Sequence, residues 1–324
     1  MISFRFHVVS ITAVFLAIAI GVVVGTTYVD GAVVDGLRSR IDSVEENLDE
    51  RREENAQLES ELEVARGYIE ASADFAVTDR LTDVPVLVLA TRGIDESAVE
   101  RAVALARRAG AAVPGVAWLE SGWSLEDDEV RAVLADIVAG REDDDRGELW
   151  EAAWDALVTE LAGDGDPSDE TADTTGSGDV VEVLGALQDA GFLTVDALGD
   201  DTTSLSDLAG REPRVLLLTG ARAQDELVPV VPFVVEATVE GDLPTVVADV
   251  HVVAPEAPGR GEDLHESLSE DLRDRIVVVD DADRPEGQVG AVLALAAVAD
   301  AQLLGTQYGH GGGAGSVLPS WTPP

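Results

Sequence analysis

The chain has no cysteine and no lysine, and its one methionine is Met1. Without cysteine there is no disulfide framework to mark an oxidising compartment, and no thiol to suggest a reducing one. Thiolate and thioether are the ligands Cu(I) prefers, and the chain has almost none to give. Its four histidines, His7, His251, His265 and His310, lie far apart and form no spaced ligand pair. No G-x-G-x-x-G, Walker A, G-x-S-x-G or H-E-x-x-H is present, and no nucleophile–base pair can be assembled. The residues therefore give no reason to expect an enzyme or a resident cofactor. With lysine absent, all 21 basic residues are arginine, against 64 Asp and Glu, for a net charge of −43. Such a chain repels nucleic acid and anionic lipid surfaces. The excess fits solubility in high salt or a biased genome better than a dedicated cation function. At 46% hydrophobic residues the chain is globular, not disordered.

What the sequence does contain begins with Val8 to Val29, VVSITAVFLAIAIGVVVGTTYV, which carries no charge. As a helix, it spans roughly 33 Å, enough to cross a hydrocarbon core of about 30 Å. The run is longer than a signal-peptide core, and no small-x-small cleavage site follows it, so an uncleaved anchor is expected. Gly21 and Gly25 form a G-x-x-x-G within it, a spacing that lets two membrane helices approach closely. Arg5 precedes the span and Arg38 and Arg40 follow it, so the positive-inside rule does not decide its direction. The short N-terminal flank suits a single pass in the cell membrane or envelope, with the head outside the cytoplasm.

From Val34 the apolar residues fall into heptads. Val34, Ile41, Leu48, Asn55, Leu62 and Ile69 occupy a, and Leu37, Val44, Arg51, Leu58 and Ala65 occupy d. Alternating four-three spacing over about five heptads predicts a left-handed coiled coil. A lone Asn55 at a favours a parallel homodimer held in register, because a shifted register buries the amide unpaired. The alternatives are pairing with a partner protein's helix, or one amphipathic helix lying on the head.

The rest reads as α/β. PVLVLATR (85–92), AAVPGVAWL (111–119), 193–197, RVLLLTG (214–220), PTVVADV (244–250) and RIVVVDD (275–281) are short β-branched runs suited to buried strands. Between them lie helical patterns at 96–109, from Ser124, at 147–162 with Trp150 and Trp154 on one stripe, at 180–191, at 225–240, broken or bent by Pro229 and Pro232, and at 289–305. This alternation predicts a mainly parallel sheet with helices on both faces. The expected organisation is an anchor at 1–29, a stalk at 30–71, a head at 80–305 and a loose Gly/Pro-rich tail at 306–324. Within the head, 163–179 reads as a flexible acidic loop. Ligands of such folds bind at strand C-termini. Here these are Thr91-Arg92-Gly93, Thr219-Gly220-Ala221-Arg222 and Asp280-Asp281.

Two blocks carry a family likeness: the start, MISFRFHVVSITAVFLAIAIGVVVG, and the motif Gln307, Tyr308, Gly309, His310, Gly311 after the last helix. With the stalk and α/β head between them, the chain resembles the actinobacterial copper transporter family typified by the mycobacterial copper transport protein B. The resemblance implies a cell-envelope protein in copper efflux or copper tolerance, from a family described as channels, with copper as the transported ion. It also places His310 where a metal ligand is wanted. One membrane helix cannot line a pore alone, and the head lacks the repeated alternating strands of a membrane barrel. The alternative is a coiled-coil scaffold in envelope assembly, with no copper chemistry of its own.

Overall fold

The first proline of the chain is Pro85, so no ring interrupts a helix before it. In the computed structural model a single helix, α1, runs from Phe4 to Val77. The structure describes residues 4–139, 144–163, 182–197, 205–220, 227–250, 268–299, 303–309, 314–316 and 318–319. The chain divides into two units, 1–65 and 66–324.

In the first unit, Phe4–Gly25 is long and apolar enough to cross a membrane. Within it the Thr12 hydroxyl donates to the Val8 carbonyl at 2.8 Å, so its polar group needs no water. Beyond it, the Arg52–Asp49 pair at 2.9 Å and the Gln57–Glu61 bond at 2.9 Å support the helix along its solvent side. Leu37, Ile41, Val44, Leu48, Leu58 and Leu62 line one stripe and remain 47–58% exposed.

In the second unit, the end of α1 turns its apolar face onto the head. Ala73 and Val77 are buried, and Ile69 and Ala76 pack against the same cluster. The Leu81 amide then bonds the Ala109 carbonyl, and Asp79 and Asp83, both at positive φ, turn the chain into the sheet.

The sheet comprises β1 (Val86–Thr91), β2 (Gly115–Leu119), β3 (Leu193–Ala197), β4 (Arg214–Thr219), β5 (Thr245–Asp249), β6 (Val277–Val279) and β7 (Thr306–Tyr308). Their order is β3-β2-β1-β4-β5-β6-β7. Every neighbouring pair is parallel except β2–β3. Alternate residues of the continuous apolar runs point to opposite faces. Leu87, Leu89, Leu217, Val247 and Val278 enter one core, and Val86, Val88, Leu216, Leu218, Val246 and Val277 enter the other. Both faces must therefore be covered, which is why the strands do not alternate with polar residues.

One layer holds α3 (Asp128–Ile137), α4 (Arg146–Ala162), α5 (Glu182–Asp189), α6 (Val231–Glu240) and α7 (Glu270–Arg273); the other holds the end of α1, α2 (Glu96–Arg108) and α8 (Pro285–Ala297). Local signals set their ends. The Asp95 carboxylate accepts the Ser97 amide and starts α2. Asp145 and Glu148 form a capping box at α4. Pro285 opens α8, where its missing N–H costs nothing. At the far end of α8, Arg214 from β4 donates to the Ala296 carbonyl at 2.8 Å. In the first layer, Trp123 stacks on Trp154 at 4.8 Å with Phe192 edge-on at 5.3 Å, and Trp150 Nε1 donates to the Trp123 carbonyl.

Two details differ from the sequence pattern. The helix expected from Ser124 begins instead at Asp128, capped by Asp127, whose carboxylate accepts the Glu129 amide at 2.8 Å. Ser121–Ser124 form a 3₁₀ turn that carries Trp123 into the core, and Leu125 follows at φ +50°. As expected, Pro229 and Pro232 break the 225–240 helix, here into a 3₁₀ turn, Val228–Val230, and α6. Thr306–Tyr308, expected to open a loose tail, form the edge strand β7. The acidic loop lies outside the described residues apart from Gly163.

Candidate functional site

The chain passes from β1 to β2 on one side, then returns to place β4 on the other side of β1. The strand order reverses between β1 and β4, the place where open α/β sheets take ligands. Thr91 and Thr219 end these strands, both buried, with the Thr91 hydroxyl donating to that of Thr219 at 3.3 Å. Arg92 follows Thr91. Its Nε donates to Glu120 at 2.8 Å, Nη1 to Glu96 at 3.3 Å and Nη2 to Thr194 at 2.8 Å. Its guanidinium also sits 4.5 Å from the Trp118 ring. Arg92, the one cation of this loop, is thus committed to tying β1, β2 and β3 together. Gly220 lies against β5, since a Cβ there would come within 2.2 Å of the Val250 carbonyl. Ala221 and Arg222 lie outside the described residues.

Asp249 ends β5 and Asp280 directly follows β6; both are buried, as is Asp281. The Gln-Tyr-Gly motif acts here. Gln307 Nε2 donates to both Asp280 oxygens, at 3.0 and 3.2 Å. The Asp280 amide donates to the Tyr308 carbonyl at 2.8 Å, and the Tyr308 side chain is buried in the second core. Gly309, at φ +124°, lies so close that a Cβ would fall 2.6 Å from that of Asp280. Asp281 turns the chain at φ +58° toward α8, 3.9 Å from Arg284. The motif's visible part is therefore a latch that joins β7 to the end of β6. His310 and Gly311 lie outside the described residues, as do His251 and His265.

The head also holds a carboxylate that the sequence did not single out. Glu160 in α4 is buried, and its Oε2 accepts the Leu184 amide at 3.1 Å, capping the start of α5. Its Oε1 is buried without a hydrogen-bond partner. Burial raises its pKa above the usual range, and the amides of Leu184 and Val183 oppose that only in part. The available signal was its spacing three residues after Leu157, on the apolar stripe of α4. On the outer side of α4 and α6, burial and then Glu240 raise Asp155. Burial, then Glu240, Glu151 and Asp155, raise Glu236. A raised folded pKa means the native state holds its protons longer than the unfolded chain. Stability then falls as pH rises from the unfolded pKa, about 4.3, through the folded value. Glu160→Gln should remove part of that loss. Its melting temperature relative to the parent should be higher at pH 7 than at pH 4; an unchanged difference at the two pH values would refute the raised pKa.

At the N-terminal edge of the sheet, a cavity of about 420 Å³ is lined by Arg107, Val113, Pro114, Asp207, Leu208 and Arg211. Arg107 donates to the Val113 carbonyl at 2.9 Å. Among the described residues, no three His, Asp or Glu are placed to hold a metal ion. Gly21 and Gly25 are open on their helix, with no heavy atom within 4 Å of an added Cβ.

A membrane-length N-terminal helix continuing into heptads, followed by an open, mostly parallel sheet clad in helices, defines an α/β protein with an apolar N-terminal helix. The chain belongs to the MctB family, described as copper transport outer membrane proteins, whose model matches residues 1–319. That match includes both the N-terminal block and the Gln307–Gly311 motif. The chain is similar to the copper transporter MctB of Mycobacterium bovis and of two Mycobacterium tuberculosis strains. Each is 26% identical over 334 residues, covering 99% of this chain and 100% of the relative.

Proposed function

We propose that this chain is a single-pass envelope protein acting in copper efflux or copper tolerance, with its head outside the cytoplasm and copper as cargo, not cofactor. The observation that carries this reading is the family match over residues 1–319, joined to a helix of membrane length at Phe4–Gly25. The described sheet is open, with β3 and β7 at its edges and both faces covered by helices, so attachment to the bilayer falls to α1. The ligand inventory is hard: carboxylates are plentiful, while thiolates are absent. Copper therefore passes this protein, or depends on what it assembles, without resting in a strong site.

A deletion strain should accumulate copper, and the full chain, but not one lacking residues 4–25, should restore the normal level. Normal copper content in the deletion strain would defeat the reading. The purified full chain, titrated with Cu(I) against a competing chelator, should bind weakly and in a salt-sensitive way. A stoichiometric nanomolar site lost on His310→Ala would make copper binding direct and overturn the cargo-only view.

The second reading, a scaffold in envelope assembly that acts through the stalk, is favoured by the half-exposed stripe from Leu37 to Leu62. A stripe of that length is costly in water unless another helix covers it.

A further inference from the structure

The stripe's occupant can be read from the charges beside it. We infer that it is a second copy of this chain, parallel and in register, over residues 34–65 and no further. The inference rests on the stalk-mediated reading and is independent of any copper role.

Three observations lead there. The first is where the stripe ends. Ile69 continues the heptad in sequence, yet it packs against the head's own core beside Ala73, Ala76 and Val77. From that turn onward the helix's apolar face already has a partner in the same chain, so the seam open to another helix closes near Ala65.

The second is orientation. The e positions flanking the seam are Arg38, Glu45, Arg52, Glu59 and Arg66, and the g positions are Arg40, Asn47, Glu54 and Glu61. In a parallel pair each g residue meets the e residue five places later on its neighbour. Arg40 then meets Glu45 of the second copy and Glu61 meets its Arg66; among these flanking pairs only Glu54 against Glu59 is unfavourable, and within the seam Arg51 at d meets its own counterpart. An antiparallel pair that keeps every apolar layer filled sets Leu48 opposite Leu58 and Val44 opposite Leu62. It then brings Arg38 beside Arg66, Glu45 beside Glu59 and Arg52 beside its own counterpart. Each charged e pair is then like-signed, and Glu54 faces Glu54. The alternating signs along e thus select the parallel arrangement.

The third is register. Asn55 meets Asn55 only in the unshifted parallel pair, while a one-heptad slip sets each amide against leucine. The arginines at e have little to lose. In the single chain Arg38 and Arg52 pair with Asp35 and Asp49 within the helix, and all four side chains are largely exposed.

Because the native chain contains no cysteine, single cysteines report the geometry without background. In the full-length protein in detergent or membranes, Leu37→Cys and Leu58→Cys, each alone, should form an intermolecular disulfide on mild oxidation with diamide. Both are d positions, where the Cα separation in a parallel pair suits the bond. Ser60→Cys, at the outward f position, should not. Glu45→Arg should weaken the dimer several-fold by sedimentation, and adding Arg40→Glu should restore it. Cross-linking only in a mixture of Leu48→Cys and Leu58→Cys chains would show an antiparallel pair. A full-length chain that sediments as a monomer at tens of micromolar would show that the stripe is reserved for another protein. Either result overturns the inference, and both are read without reference to copper, so a failed copper phenotype leaves them standing.

Discussion

Trp154→Ala should destabilise the head by about 4 kcal/mol, the usual cost of emptying a fully buried aromatic site. Trp154 is 1% exposed, stacks on Trp123 at 4.8 Å and sits among Leu149, Leu157 and Phe192 in one core layer. For a head of this size that loss lowers the melting temperature by roughly ten degrees. The Nε1 of Trp154 is buried without a partner. Trp154→Phe, which deletes that unpaired donor and keeps most of the ring contact, should therefore cost less than half as much. Urea denaturation followed by near-ultraviolet dichroism measures both. Equal losses for the two variants would mean that the ring stack contributes little.

Gly309→Ala should cost about 3 kcal/mol and release β7. Two terms add here. Alanine resists φ +124°, and its Cβ meets Asp280 at 2.6 Å, where only glycine fits. Gln307→Ala should cost less, because it loses hydrogen bonds to Asp280 but strains no backbone. Hydrogen exchange at 306–308 should accelerate in both variants, more in Gly309→Ala. This experiment separates two roles for the family motif. If the Gln-Tyr-Gly part is a latch, copper tolerance should fall in step with stability. If tolerance is lost while exchange and melting stay unchanged, the motif serves copper directly, and the latch is incidental.

Much of the architecture was legible because it depends on local rules. A charge-free run of 22 residues can be little else than a membrane-length or buried helix. The heptads from Val34 declare themselves by spacing. Runs such as VLVLAT and VLLLT read as strands buried on both faces, and β1 and β4 stand where those runs lie. The boundaries that went astray did so where tertiary packing overrode a local signal. Ser124 is an acceptable cap, but burial of Trp123 and the better acceptor at Asp127 moved the start of α3. Gly-rich sequence after Thr306 suggested a free tail, yet three residues found an open sheet edge to pair with.

By itself, then, the sequence determined the class of each segment and the inventory of its chemistry: an apolar leader, a heptad helix, an α/β head, and neither thiolate nor catalytic motif. These follow from composition and from periods of two, 3.5 and 3.6 residues, which need no knowledge of distant neighbours. Only the tertiary structure decided that Ile69 belongs to the head as well as to the heptad, that Arg92 is spent on Glu120 and Trp118, and that Gln307 holds Asp280. Those side-chain pairings join residues on separate elements, with Gln307 and Asp280 27 positions apart and Arg92 and Glu120 28 apart. Their partners are set by strand order and by which face each helix covers, and no local pattern encodes either.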